Sequence, residues 1–169
     1  MPQNRMTDRD RDVEGRAQNQ RPRDAYGRPL PHGSPQGAPV IPEDAEYTPA
    51  EGLARAQELL DEGYAFTAHE VLEAVWKSAA STERELWQGL AQVAVGLTHV
   101  QRQNLTGAVR LLRRGAQRVA AFADEVGGPV PHGVATADVA AYALHLADEV
   151  EAGRRTTVDP AQLRLRADN

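Results

Sequence analysis

The sequence predicts an all-α protein, an antiparallel array or bundle of about five helices with a disordered N-terminal tail. Three observations predict it. Apolar residues recur at three- and four-residue spacing through residues 46–153, the signature of buried helical faces. Capping residues and glycines punctuate that region at short intervals. No stretch alternates with the two-residue period of a half-buried strand. Short connections between such helices give an antiparallel array.

Residues 1–45 read as the tail. They hold seven Arg against seven Asp or Glu, Pro/Gly runs such as "GRPLPHGSPQGAPVIP", and few large apolar side chains. Such a segment buries too little surface to offset its ordering entropy. The helical domain is read as residues 46–153. "TPAE" starts it, with Thr48 as N-cap, Pro49 in the first helical position and Glu51 in the third. Leu53, Ala56, Leu59 and Leu60 form the apolar face, and Gly63 closes the helix in the left-handed conformation. The second helix covers about 65–79, with a Thr67/Glu70 capping box that would delay its start. Thr82 and Glu85 form a third box, opening a helix to about residue 103. Asn104 caps a fourth helix, about 105–123, which "GGPVPHG" ends. Thr136 opens a fifth, to about 152, closed by Gly153, and residues 154–169 read as a fraying C-terminal tail.

Helix three, "ERELWQGLAQVAVGLTHVQRQ", is the informative one. It carries no charged residue between Leu86 and Gln101, so it reads as buried on most sides. Leu86, Leu90, Val93, Leu97 and Val100 make one stripe, with Gln88, Gln92 and His99 opposite. Gly89 and Gly96 each cost roughly 1 kcal/mol of helix propensity, which close approach of another helix would offset. Helix two carries a matching stripe of His69, Glu73 and Trp76, flanked by Glu70, Phe66 and Lys77. Buried polar groups need partners, so the two stripes are expected to meet across a helix–helix seam in the dry interior.

Composition narrows the function. Without cysteine there are no disulfides, thiolate metal sites or thiol nucleophile. No apolar run approaches the roughly 20 residues of a membrane span, and the polar N-terminus does not read as a secretory signal. A cytoplasmic location fits. Net charge is −5, which makes a nucleic-acid partner unlikely on electrostatic grounds. No phosphate-binding glycine loop follows a strand, and no Ser-His-Asp arrangement stands out.

"FTAHEVLEAVW", "ERELWQGLAQVAVGLTH" and "NLTGAVRLLRRG" together resemble domain of unknown function 309, a small all-helical family of bacterial and archaeal proteins. The likeness covers about residues 50–120. The family's His-x-x-x-Glu-x-x-Trp motif is met by His69, Glu73 and Trp76, with Glu70 between. Its Gln-Gly-Leu-x-Gln motif and following histidine are met by Gln88, Gly89, Leu90, Gln92 and His99. Its Gly-Asn turn departs at Gln103, which stands where the glycine would be and leaves a left-handed turn there open. The resemblance implies a helical fold and a shared polar cluster, and no established activity.

The candidate cluster is therefore His69, Glu70, Glu73, Trp76, Gln88, Gln92 and His99. His69 and Glu73, one turn apart, can pair to fix helix packing or share a metal. No metal or other cofactor is expected, because glutamines suit hydrogen bonding better than transition-metal ligation. A divalent metal at His69, Glu73 and His99 is the minority reading. Glu70 is either a general base or the capping partner of Thr67, and Lys77 is positioned to pair with Glu73. Trp76 and Trp87 read as core anchors. Arg110, Arg113, Arg114 and Arg118 lie on one side of helix four as a candidate anion face or an ordinary solvated one. His32 and His132 sit in Pro/Gly loops and read as incidental. The leading reading is a non-catalytic module that binds another protein or a small ligand. The alternatives are a metal-dependent hydrolase-like enzyme using His69, Glu70, Glu73 and His99, and a phosphate- or RNA-binding module using the arginine face.

Overall fold

A computed structural model describes residues 22–35 and 37–167. Among them are five α-helices: α1 (Pro49–Asp61), α2 (Ala65–Ser78), α3 (Arg84–Gln101), α4 (Leu105–Val126) and α5 (Thr136–Glu151). Among the described residues, bridges between extended segments are limited to two isolated pairs, Arg23 with Pro29 and Val134 with Arg166. Each helix packs on its neighbours in sequence, and α3 and α4 share the most extensive contact. No helix among the described residues is long and apolar enough to cross a membrane.

The termini of the helices follow from local chemistry. Thr48 and Glu51 form the reciprocal capping box of α1, and Gly63 (φ 89°) turns the chain out of it. Asn104 Oδ1 accepts the Gly107 amide at the start of α4. Gly127 ends α4 in the left-handed conformation, φ 63°. The residue before Asn104 is left-handed too, since Gln103 has φ 62°. Its side chain donates to the carbonyls of Val100 and Thr156 at 3.1 and 2.8 Å, contacts a glycine could not make.

Two predicted capping boxes do not form. α2 starts at Ala65, because Ala65 and Ala68 are drawn fully into the core, and Thr67 is itself buried inside the helix. A short 3₁₀ turn, Ser81–Glu83, leads into α3, and no side chain caps it.

The core is aliphatic around two aromatic rings, Trp87 and Phe122. Leu53, Leu59, Leu60, Leu72, Leu86, Leu90, Leu97, Leu112 and Trp87 are fully buried, each large side chain contributing about 1.5–3 kcal/mol of hydrophobic stabilisation. Glycines bring α3 against α4. A Cβ on Gly115 would lie 2.9 Å from the Gly89 carbonyl oxygen and 2.9 Å from the Val93 nitrogen. One on Gly96 would lie 2.7 Å from Leu112 Cγ. The close approach expected of Gly89 and Gly96 is thus made by α4.

The described parts of both predicted tails carry more structure than expected. Residues 1–21 lie outside the described residues, and so does the reading of them as a tail. Residues 22–45 instead hold a hydrogen-bonded turn. Asp24 accepts the amides of Tyr26 and Arg28, and Gly27 (φ 74°) lies so close to Phe66 that a Cβ would meet the ring at 2.2 Å. A buried Ala38 donates its amide to the Arg23 carbonyl. At the other end, Leu163 and Leu165 are each 1 % exposed. Gln57 of α1 clasps their backbone, donating to Leu163 O and accepting from Leu165 N. The alternation in "QLRLR" supplies that apolar edge.

Candidate functional site

α2 begins at the Gly63 turn, and its register then sets Phe66, His69, Glu73 and Trp76 along one side. His69 Nδ1 meets the Phe66 carbonyl at 3.0 Å, and its Nε2 lies 3.1 Å from Glu73 Oε2. Both ring nitrogens face oxygen acceptors, so the pair is fully satisfied when the ring carries both protons. The Glu73 side chain is 45 % exposed and that of His69 19 %. Lys77 is exposed and makes no ion pair with Glu73 among the described residues. Glu70 is half-buried. Burial pushes its carboxyl above the ordinary range, Glu73 adds to that, and Arg23 opposes it.

Guanidinium groups cap the two aromatic rings of this side. Arg84, at the start of α3, lies 5.1 Å from the Trp76 ring centre. Arg102, just past the end of α3, lies 5.4 Å from Phe66, and Arg23 5.3 Å from the same ring. Arg84 and Arg102 stand five full helical turns apart, on one edge of α3. Ala91 and Val95 share that edge within roughly 20°, while Gln88, His99 and Gln92 lie roughly 40–80° further round. Arg84 is exposed and the others are half-buried. α3 therefore presents a partly exposed sector between α2 and α4.

This geometry corrects the expected seam. Small and apolar residues, Ala91 and Val95, occupy the α2 side of the sector, so the polar stripe leans toward α4. Gln88 accepts from Arg118 Nη1 at 3.4 Å. His99 Nδ1 meets Asn104 Nδ2 at 2.9 Å. Gln92 Oε1 is buried without a hydrogen-bond partner among the described residues. None of these side chains bonds His69 or Glu73, and the cluster lies half-exposed rather than in a dry interior. Trp87 is a core anchor as expected, with no exposure. Trp76 is only partly buried and walls the sector instead.

The minority metal set is not assembled. The described residues contain no group of three or more His, Cys, Asp or Glu able to hold an ion, and His99 bonds Asn104 rather than joining His69 and Glu73. The arginine face divides as well. Arg113 bonds Asp148 and Glu151 of α5, and its hydrogen bond to Glu151 holds that carboxyl below its usual range. Arg118 bonds Glu85 at 2.7 Å. Arg110 and Arg114 are exposed. A cavity of about 240 Å³ lies elsewhere, between α1 and the C-terminal segment, and holds none of the candidate residues.

Sequence reading missed several residues here. Arg23, Arg28 and Arg102 were overlooked because two stand in the supposed tail and the third just beyond a helix end. The signal available was "PRDAYGR", an Asp-to-Gly turn rather than a solvated run. His132 is not incidental. Its Nε2 lies 2.5 Å from Glu83 Oε1, and its ring packs 5.9 Å from Trp87.

Comparison with known proteins agrees with the motif reading. The model of a family described as a domain of unknown function (DUF309) matches residues 53–111, from the α1 core face to the first turns of α4. A Bacillus subtilis (strain 168) relative, printed as "Uncharacterized protein YpuF", is 46% identical over 48 residues. That match covers 28% of this chain and 28% of the relative's own length. No solved structure matches the chain. The segment that carries the His69–Glu73–Trp76 stripe and the Gln88–Gln92–His99 sector, residues 53–111, is thus the part of the chain that is similar to DUF309.

Proposed function

We propose that this chain is a non-catalytic recognition module, and that its working surface is the half-exposed sector of α3 together with the α2 stripe beside it. The partner is a protein segment or a small ligand that lies along the two helices. The observation that carries this reading is the bracketing of polar groups by two capped rings. Phe66 and Trp76, each under a guanidinium, stand at either end of the His69–Glu73 pair. Aromatic walls around a few fixed polar groups are how recognition sites are built. Residues placed there for packing alone would be buried and mutually satisfied. Here Gln92 keeps an unpartnered carbonyl oxygen and Glu73 is nearly half-exposed.

A photo-crosslinking side chain placed at Val95, in the middle of the sector, tests the reading in cells. We expect one reproducible adduct that disappears when Trp76 or Gln92 is replaced by Ala. The same crosslinker at the exposed Ala54 of α1 should not form it. Identical adducts at both positions, or an adduct indifferent to Trp76 and Gln92, would sink the proposal.

A further inference from the structure

The Phe66 wall of the recognition surface is already occupied by the chain itself. Gly27 turns its bare Cα to the ring, where a Cβ would fall 2.2, 2.5 and 2.6 Å from three ring carbons. The neighbouring Tyr26 carbonyl accepts from Arg102 Nε at 2.7 Å. The guanidinium groups of Arg23 and Arg102 lie 5.3 and 5.4 Å from the same ring centre. Glycine, carbonyl and both cations thus meet around one aromatic ring. A partner cannot pack on that face of Phe66 while Gly27 stands there.

The turn that covers the ring is built as a unit. Asp24 Oδ1 accepts the amides of Tyr26 and Arg28 at 2.9 and 2.8 Å, a side-chain substitute for a backbone turn. The Gly27 amide donates to the Asp24 carbonyl, the Asp24 amide to the Arg28 carbonyl, and the Leu30 amide to the Pro22 carbonyl. Arg23 Nη1 donates to the Gly27 carbonyl at 2.6 Å. These bonds lie within residues 22–30, so lifting the turn off the ring breaks none of them. The bond from Arg102 to the Tyr26 carbonyl is exposed and exchanges readily for water. Little apolar surface resists that exchange, because among residues 22–35 only Gly27 is buried. Few buried contacts and exposed hydrogen bonds place a segment at the low end of local stability. The C-terminal segment is the contrast, since it sinks Leu163 and Leu165 into the core.

We propose that the turn of residues 24–28 is a built-in competitor for the recognition surface, covering Phe66 until a protein partner displaces it with a peptide turn of its own. This competitor rests on the recognition reading above and specifies the partner. The contacts that fill the place are made by backbone, a carbonyl on Arg102 and a glycine on the ring, and another protein chain reproduces them directly. The surface then exists closed and open, and the partner's apparent affinity is its intrinsic affinity reduced by the open fraction.

The test releases the turn in the full-length chain by two routes. Gly27→Val drives a side chain into the Phe66 ring, and Asp24→Ala removes the acceptor of two turn amides. Neither residue supplies a side chain to the core, so each variant should melt within about 4 °C of the parent. In proton spectra of the free parent chain the Gly27 α-protons should carry the upfield displacement of a ring face, and Asp24→Ala should abolish it. With the crosslinker at Val95, the yield of protein adduct in cells should rise about tenfold in both variants, the gain from opening a surface that is free in about one molecule in ten. Ser34→Ala, which removes a bond to the Pro31 carbonyl in the same segment but outside the turn, should leave the yield unchanged. A protein adduct whose yield ignores both variants, or falls in them, would overturn the competitor and leave the recognition surface standing. So would an adduct too small to be a protein, or a loss of melting temperature as large as that of a core substitution. No adduct in the parent or in either variant would sink the recognition surface and its competitor together.

Discussion

At the scale of single residues, depth of burial decides which polar contacts hold the fold. The His69–Glu73 pair joins residues one turn apart and leaves Glu73 45 % exposed, and such pairs are worth about 0.3–0.5 kcal/mol. Glu73→Gln should therefore lower stability by less than about 0.5 kcal/mol in a denaturant melt. A loss of about 1–3 kcal/mol would instead mark a buried partner and return the pair to a packing role. Glu70 behaves differently. Its raised carboxyl means that the folded state holds the proton more tightly than the unfolded chain. The charge then costs stability as pH rises from the ordinary carboxylate range through the raised value, and the cost is absent below both. Glu70→Gln should raise the melting temperature near neutral pH, and the gain should vanish on acidification below the ordinary range. An advantage that persists in acid would show that the effect is not one of charge.

At the scale of the helix, spacing was highly legible and rotation was not. The Thr48–Glu51 box, the Asn104 cap and the glycines at 63, 127 and 153 are local signals, readable because backbone chemistry alone produces them. The stripes on α2 and α3 were legible for the same reason, since periodicity reports which residues share a face. It does not report which neighbour that face meets. α3, uncharged between Leu86 and Gln101, looked enclosed, but Ala91 and Val95 hold its α2 edge and its amides turn toward α4. The Thr67/Glu70 box failed because burial of Ala65 and Ala68 extended the helix past it, tertiary packing overriding a capping preference. The glycines of α3 and α4 give the sharpest test at this scale. A Cβ on Gly115 would sit 2.9 Å from two backbone atoms of α3, which cannot swing aside. Gly115→Ala should destabilise by about 1–3 kcal/mol as an overpacked contact, despite a gain of roughly 1 kcal/mol in helix propensity. Gly89→Ala should cost less, because its nearest obstacle, at 2.8 Å, is a Val119 methyl. A stabilising Gly115→Ala would mean that the two helices do not approach as described.

At the scale of the whole molecule, the bundle is held at its edges by segments whose composition reads as linker. The C-terminal one was illegible because only two of its residues are large and apolar, too few for a periodicity signal. Their effect depends on a groove that α1 and the Val134 loop create only after folding. Leu163 and Leu165 enter that groove, Gln57 pairs with their backbone on one side, and the Leu165 carbonyl accepts from Ala135 on the other. One segment therefore ties the first helix to the approach of the last. Leu165→Ala should cost about 2–4 kcal/mol, the loss of a fully buried leucine. Arg164→Ala between them removes only the exposed pair with Asp61 and should cost no more than about 1 kcal/mol. Hydrogen exchange distinguishes a clasp from generic core loss. In Leu165→Ala the amides at the end of α1 and the start of α5 should lose protection first, while α3 and α4 keep theirs until global unfolding. Uniform loss of protection would assign Leu165 to the common core, and an unchanged melting temperature would free the segment from the fold altogether.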